Sequence, residues 1–289
     1  MNKVYNIGII GKGFVGSAVA HGFSAACGYD AKIRIYDKDP SRSSDTLIET
    51  VNESDFIFIS VPTPANKKGE NDLSILIDAL GEIDSINKNL SNIILVRSTV
   101  VPGTTEDLQN RFPNLRLVFN PEFLTERSAV FDFINQSRVI LGGPKKYTNE
   151  VTKLYSDRFG SYMPILETDY QTAESIKYMN NLFFATKVSF LNEMYLLVKK
   201  VDGNWEEAIE GFILDGRVGH SHLNVPGPDG KFGFGGSCFP KDIQALINFG
   251  QKLGLNMNVL EGAWKTNLEV RPEKDWEKLK GRAVSSDTE

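Results

Sequence analysis

The chain has little cysteine, little histidine and no excess of positive charge, and each shortage excludes something. Two cysteines, Cys27 and Cys238, in 289 residues cannot build a disulfide framework and suit a reducing, cytoplasmic compartment. The three histidines are His21, His220 and His222. No cluster of carboxylates or thiols accompanies His220 and His222, so they read as loop polarity and no metal site is expected. Thirty-two Lys and Arg against 37 Asp and Glu leave a net charge of -5, the wrong sign for a nucleic-acid surface. Apolar runs are short. Asp55–Val61 and Asn92–Val96 have strand length, far below the ~18 residues needed to span a bilayer, so no membrane segment is expected. The opening Met1-Asn2-Lys3-Val4-Tyr5 enters a strand pattern directly, without the layout of a signal peptide.

What remains is ordinary globular composition, 41% hydrophobic and 24% charged, in a chain long enough for two domains. Val4–Ile10 is an apolar run ending at Gly11, Phe14–Phe23 has helical spacing, and Lys32–Tyr36 is a second strand closing on Asp37. Further strands are predicted at Phe56–Val61, Ile93–Arg97, Leu115–Asn120 and Arg138–Leu141, separated by helix-like segments such as Asp72–Ile86 and Thr105–Arg111. This alternation predicts an α/β fold, a doubly wound Rossmann-type parallel sheet over residues 1–168. From Asp169 to about Val201 no breaker intervenes, and Ile176, Met179, Phe183, Phe184, Val188, Leu191, Met194, Leu197 and Val198 recur at helical spacing. A long central helix followed by shorter ones near 204–214, 240–253 and 259–270 predicts a smaller all-helical domain over 169–276. A polar tail, 277–289, is expected to fray beyond Lys280.

The first chemical motif is Gly11-Lys12-Gly13-Phe14-Val15-Gly16, a G-x-G-x-x-G between a strand and a helix. The first glycine allows the tight turn, the second lets a pyrophosphate approach the backbone, and the third lets helix and strand pack closely. The helix start at Phe14 and Val15 offers free N–H groups to phosphate. Asp37 closes the next strand at the spacing suited to a ribose 2′-hydroxyl, and its charge repels a 2′-phosphate. The cofactor implied is NAD rather than NADP, although Lys38 and Arg42 lie close by, and Arg42 joins the expected cofactor contacts.

The second motif is Gly233-Phe234-Gly235-Gly236-Ser237-Cys238-Phe239-Pro240-Lys241-Asp242. Three glycines in four residues let the backbone press against a ligand, and Pro240 suits the first turn of a helix. Cys238 therefore falls at or beside a helix N-terminus, where the helix dipole and Lys241 favour the thiolate needed for covalent chemistry. A free cysteine is more often buried and inert, and Cys27, in an Ala/Gly stretch without charged neighbours, has that reading. The glycine loop and flanking charges reverse it for Cys238.

This cysteine segment resembles the catalytic signature of the UDP-glucose/GDP-mannose dehydrogenase family. The resemblance runs to about residue 272 through several separate motifs: Val61-Pro62-Thr63-Pro64 with Asp72-Leu73-Ser74, Ser98-Thr99-Val100 with Pro102-Gly103-Thr104, Asn120-Pro121-Glu122-Phe123-Leu124 with Glu126, Lys177 and Asn181, and Asp215-Gly216-Arg217-Val218-Gly219. It implies two successive NAD-dependent oxidations at C6 of a nucleotide sugar. A base, water held by Thr99 and Asp242, takes the first proton. Cys238 then carries a thiohemiacetal and a thioester, and Glu126 helps water hydrolyse the latter. Glu122 and Glu126 would divide acid–base work only if their surroundings differ. Lys177 and Asn181, four apart on the long helix, share one face and would stabilise the oxyanions. Periodicity alone makes Lys177 a solvated helix charge and Asn181 as readily a surface polar residue. By the same resemblance Val61, Thr63, Thr99, Glu126 and Lys241 meet the cofactor. Phe123, Leu124, Phe234 and Gly235 line the sugar nucleotide together with Lys177 and Asn181. Arg217 reaches the partner subunit's site in a homodimer built on the long helix.

The pattern departs from the family after Asn267-Leu268-Glu269-Val270-Arg271-Pro272, where a further α/β, nucleotide-binding domain is expected and Lys278–Glu289 offers no apolar pattern to begin one. That puts the base of the nucleotide in question. Three readings stand: a UDP-glucose-type dehydrogenase, favoured by Phe183–Phe190 and Phe239; an enzyme of the same kind with an altered sugar, of GDP-mannose or UDP-N-acetylhexosamine type; and a non-catalytic NAD-binding subunit. Retention of Cys238, Lys177, Asn181, Glu126 and Asp242 together weighs against the third, since binding alone needs none of them as a set.

Overall fold

The structure is a computed structural model describing residues 4–286. The outermost parts of the expected N-terminal domain and of the polar tail, 1–3 and 287–289, lie outside the described residues. The chain divides into two compact units: Met1–Thr63 with Leu73–Lys177, and Pro64–Asp72 with Tyr178–Glu289.

Among its described residues the first unit is built on seven strands: β1 (Asn6–Ile10), β2 (Lys32–Tyr36), β3 (Phe56–Ile59), β4 (Ile93–Val96), β5 (Leu117–Phe119), β6 (Val139–Gly142) and β7 (Ile165–Thr168). Their order is β2-β1-β3-β4-β5-β6-β7, parallel except for the antiparallel step from β5 to β6. In β4 all four residues are buried because both sheet faces are covered. Successive side chains alternate faces: Ile93 and Leu95 enter one apolar cluster with Phe23, Phe58 and Tyr155, while Ile94 and Val96 enter another with Leu80, Leu108 and Phe119. The helices of this unit are α1 (Phe14–Gly22), α2 (Leu47–Asn52), α3 (Ser74–Ile86), α4 (Thr104–Arg111), α5 (Ala129–Ile134) and α6 (Lys145–Phe159). The doubly wound Rossmann-type sheet expected from the sequence is thus present. The sequence reading omitted α2, α5, α6 and β7. In α6 only Thr148, Val151, Leu154 and Tyr155 are buried, a narrow stripe in a largely polar segment. Chain order places the topological switch point between β1 and β3, and the glycine turn follows β1 there.

The helix α7 (Tyr170–Lys200) has 31 residues, and the division between units falls inside it, after Lys177. Asp169 begins it, its carboxylate accepting from Thr172 N at 2.7 Å. The second unit continues with α8 (Trp205–Ile213), α9 (Phe239–Lys252) and α10 (Asn258–Val270), the smaller helical part that periodicity indicated. Leu191, Trp205 and Val225 form one of its apolar clusters. The segment 64–72 belongs to this unit. Ala65 pairs with Val284, Ser285 Oγ donates to Asp72 at 3.0 Å, and Tyr178 OH donates to Asn71 at 2.9 Å. Within the expected polar tail, the described residues 281–286 are held by this pairing. Ala283 and Ser285 are buried, because the 64–72 segment supplies the backbone partners that polar side chains alone do not announce.

Among the described residues no helix is long and apolar enough to cross a membrane.

Candidate active site

The glycine turn in the first unit shows why each glycine is required. Gly11 has φ +89°, and a Cβ there would sit 2.8 Å from Ser60 O. A Cβ on Gly16 would lie 2.0 Å from Gly11 O, so any side chain would push α1 off β1. Gly13, by contrast, has open space where its Cβ would be. The turn is thus closed toward the protein and open at the one position where a pyrophosphate would approach. No side chain caps α1, which leaves its first N–H groups, at Phe14 and Val15, for a ligand. Asp37 accepts from Lys12 N at 2.7 Å and from Asp39 N at 2.9 Å, tying the end of β2 to the glycine turn. Arg42 lies in the short turn Pro40–Arg42, paired with Asp39 at 3.2 Å. Beyond β3 and β4, Ser98 Oγ donates to Val61 O and Thr63 Oγ1 donates to Thr99 O, each at 2.7 Å, so these residues share one rim. This set fits a dinucleotide with an unsubstituted 2′-hydroxyl.

The same unit carries a buried ion pair. Lys177 is 2% exposed, and its Nζ donates to Glu122 O at 2.5 Å and to Glu122 Oε1 at 3.0 Å. Glu122 Oε2 accepts from Leu124 N at 2.6 Å, which curls the Glu122–Leu124 loop around the cation. Phe123 covers it, its ring centroid 5.4 Å from Nζ. The solvated helix charge of the periodicity reading is therefore excluded for Lys177. Glu126 is exposed, at the start of a 3₁₀ turn, so Glu122 and Glu126 do sit in different surroundings.

In the second unit Cys238 is the N-cap residue of α9, with Pro240 in the first turn, as the sequence indicated. Its Sγ lies 3.8 Å from Ser237 Oγ. One turn on, Asp242 is 1% exposed and held from both sides: Asn181 Nδ2 donates to Oδ2 at 2.7 Å and Lys241 Nζ donates to Oδ1 at 2.5 Å. Asn181, Lys241 and Asp242 thus form one buried triad beside the start of α9, and Asn181 is not a surface polar residue. Arg217 stays outside any such cluster. Its guanidinium is exposed and folded onto Asp215, with Nε–Oδ1 at 2.9 Å.

Sequence reasoning missed the residues that hold the cysteine loop. Asn267 is fully buried, accepts from Phe234 N at 2.7 Å and donates to Phe234 O at 3.0 Å, and Asn192 Oδ1 accepts from Gly233 N at 3.0 Å. Arg271, 2% exposed, pairs with Asp229 and Asp275 at 2.6 Å each and donates to Phe232 O at 3.2 Å. A Cβ on Gly235 would meet that guanidinium at 2.5 Å, so the glycine makes room for a clamp rather than only for a ligand. The signal was available in part: Asn267 and Arg271 are polar, four apart, on the apolar side of α10. Apart from Asp275, four residues on from Arg271, their partners lie more than 30 residues away in sequence.

Two family models match: residues 41–158 fit the NAD-binding domain of the UDP-glucose/GDP-mannose dehydrogenase family, and 171–269 fit its central domain. The chain belongs to this family. Its cofactor is NAD. The match to the central domain includes Cys238 and Asp242, while the glycine turn precedes the NAD-domain match. The chain is 37% identical over 250 residues to UDP-glucose 6-dehydrogenase of Rickettsia conorii, covering 83% of this chain and 56% of that protein. It resembles the structure of a UDP-glucose dehydrogenase from Pyrobaculum islandicum (28% identity, TM-score 0.80, 96% of this chain and 71% of that one). A UDP-D-ManNAc dehydrogenase from Pyrococcus horikoshii is also similar (25% identity, TM-score 0.74, 92% and 68%). The chain thus spans about half the length of the curated relatives it matches.

Proposed function

We propose that this chain oxidises the C6 alcohol of a nucleotide sugar twice, UDP-glucose to UDP-glucuronate, through covalent intermediates on Cys238, as a cytoplasmic homodimer. The observation that carries the reading is Cys238 at the start of α9 with the Asn181–Asp242–Lys241 triad one turn away. NAD, when bound, supplies the hydride acceptor for both oxidations.

The protein's own part follows from its residues. Water held by Thr99 and Asp242 accepts the alcohol proton as the first hydride leaves C6. The Cys238 thiolate adds to the resulting aldehyde and the carbonyl oxygen becomes the thiohemiacetal oxygen, which Lys177 and Asn181 stabilise as charge develops. Loss of the second hydride and of the hydroxyl proton leaves a thioester. Water then attacks it with help from Glu126, releasing the carboxylate and restoring the thiol. Covalent capture keeps the aldehyde from escaping between oxidations. Glu122 holds Lys177 in place, Phe123, Leu124, Phe234 and Gly235 line the sugar nucleotide, and Arg217 acts in the partner's site.

The test follows NADH absorbance while the protein is incubated with NAD and a panel of UDP-glucose, UDP-N-acetylhexosamines, GDP-mannose and unactivated sugars. Two NADH per UDP-glucose are expected, the second of them lost in Cys238→Ser. Turnover only with a UDP-N-acetylhexosamine would move the substrate toward the Pyrococcus horikoshii relative. A single NADH per sugar, unaffected by Cys238→Ser, would make the protein a simple alcohol dehydrogenase. No NADH with any sugar would leave an NAD-binding subunit.

A further inference from the structure

Among the described residues the first unit buries three cations: Arg34, Lys177 and Arg97, at 6%, 2% and 3% exposure. Arg34 pairs with Glu53 and Lys177 with Glu122. Arg97 has no such partner. Its Nη1 donates to Asn120 Oδ1 at 2.7 Å and to Tyr155 OH at 3.3 Å, both neutral, and Tyr155 OH itself donates to Asn120 at 2.6 Å. Among the described residues no carboxylate forms an ion pair with Arg97. Its Nε is buried without an acceptor, and so is Nε2 of Gln136. Both residues line a cavity of about 230 Å³, whose wall also includes Phe123, Leu124, Asn135 and Arg138. Arg138 sits over the Phe123 ring at 4.2 Å. The acid in the wall, Asp132, already accepts from Thr125 N and Ser128 Oγ at 2.7 and 2.9 Å.

A guanidinium withdrawn from water is costly unless an anion and further hydrogen bonds compensate it. Arg97 lies where it does because β4 alternates: Ile93 and Leu95 feed the cluster that contains Tyr155, and the next residue on that face is Arg97, which reaches Tyr155. Phe123 both covers Lys177 and lines this cavity, so the Arg97 cavity and the Lys177–Glu122 pair share that ring as a wall. We propose that this cavity is an oxyanion site, taking a phosphate or carboxylate group of a small ligand on Arg97, with the Gln136 amide as a second donor. Planar guanidinium groups suit both anions, and the cavity is several times the ~30 Å³ share of one water, so a tetrahedral anion has room. The proposal stands whether or not the dehydrogenase reading does.

Thermal unfolding of the full chain, without NAD, would be measured against inorganic phosphate and against citrate at constant ionic strength set with chloride. The midpoint is expected to rise by roughly 5 °C at a free anion concentration about a hundred times its Kd. Phosphate alone acting names a phosphate ligand, and citrate acting as well names carboxylates too. Arg97→Met is expected to remove the response. Because that variant also disturbs Tyr155 and Asn120, Gln136→Glu provides the second arm. It places a carboxylate in the cavity, and should raise the midpoint without added anion and abolish any further rise. No response to either anion in the parent chain, or a full response in both variants, would overturn the proposal. A response that disappears at saturating NAD would give the cavity to the cofactor, and would overturn a separate site.

Discussion

Lys177 illustrates how little a single position reveals before its neighbours are known. On a helix of 31 residues a lysine is ordinarily solvated, yet here Glu122 and Phe123 enclose it. Removing one member of a buried pair leaves the other charge stranded, which costs more than the pair contributes. Lys177→Met should therefore lower stability by about 3–5 kcal/mol in urea unfolding. Adding Glu122→Gln should recover most of that stability without restoring NADH formation. Recovery of both would reduce Lys177 to a structural role. Cys238→Ser belongs at the same scale: the fold should be unchanged and the second oxidation lost, because a hydroxyl at that helix start is a far poorer nucleophile than a thiolate.

At the scale of elements, two helix ends are organised by side chains distant in sequence. The N-terminus of α4 begins at Gly103 with φ +95°, and Glu174 of α7 plugs it, accepting from Gly103 N at 2.6 Å and Thr105 N at 2.8 Å. Burial outweighs these bonds and raises the Glu174 carboxyl from 4.5 to about 7. The folded state then binds this proton more tightly than the unfolded state. Between about pH 4.5 and 7 stability falls as pH rises, by on the order of 3 kcal/mol in total, and it levels off above that window. Glu174→Gln loses one acceptor and should be less stable throughout, but its stability should lack this slope, as chemical unfolding at several pH values would show. At the other end, Arg271 binds the loop ahead of α9 through Asp229 and Phe232 O, while Asp275 holds the guanidinium from beyond α10. Arg271→Met should cost about 2 kcal/mol, since the guanidinium is buried although Asp229 is half-exposed, and should change the rate at which Cys238 reacts with a thiol reagent. An unchanged labelling rate would separate the clamp from the cysteine.

For the whole molecule, the exposed apolar residues of α7 carry the prediction. Met179, Phe183, Phe190 and Leu197 are exposed by 70%, 63%, 47% and 54%, and their spacing of four, seven and seven puts them along one stripe. A stripe of that kind marks an interface more often than a solvated face. Sedimentation should give a dimer for the parent chain and a monomer for Phe183→Glu combined with Phe190→Glu. A monomeric parent would end both the dimer and the role proposed for Arg217. The chain's span of about half its curated relatives bears on substrate choice at this scale, because remote contacts to a nucleotide contribute to positioning the reacting carbon.

The glycine turn, Asp37, the cysteine at a helix start and the long helix were all legible in the sequence, because each depends on local geometry: a positive φ, a close backbone approach, a helix period. The strands β3 to β6 were legible too, since covering both faces of a sheet demands short apolar runs, and β1 and the edge strand β2 were legible from their apolar Ile positions beside the glycine turn and Asp37. The strand β7 and the helix α6 were not, because their burial is partial and their stripe is supplied by neighbours. Only the tertiary structure decided that Lys177 is buried, that Asn181 and Lys241 grip Asp242, and that Asn267 and Arg271 hold the cysteine loop. Whether a charge is solvated, paired or held by neutral groups, as Arg97 is, depends on which side chains arrive from tens of residues away. No spacing within one helix or strand carries that information.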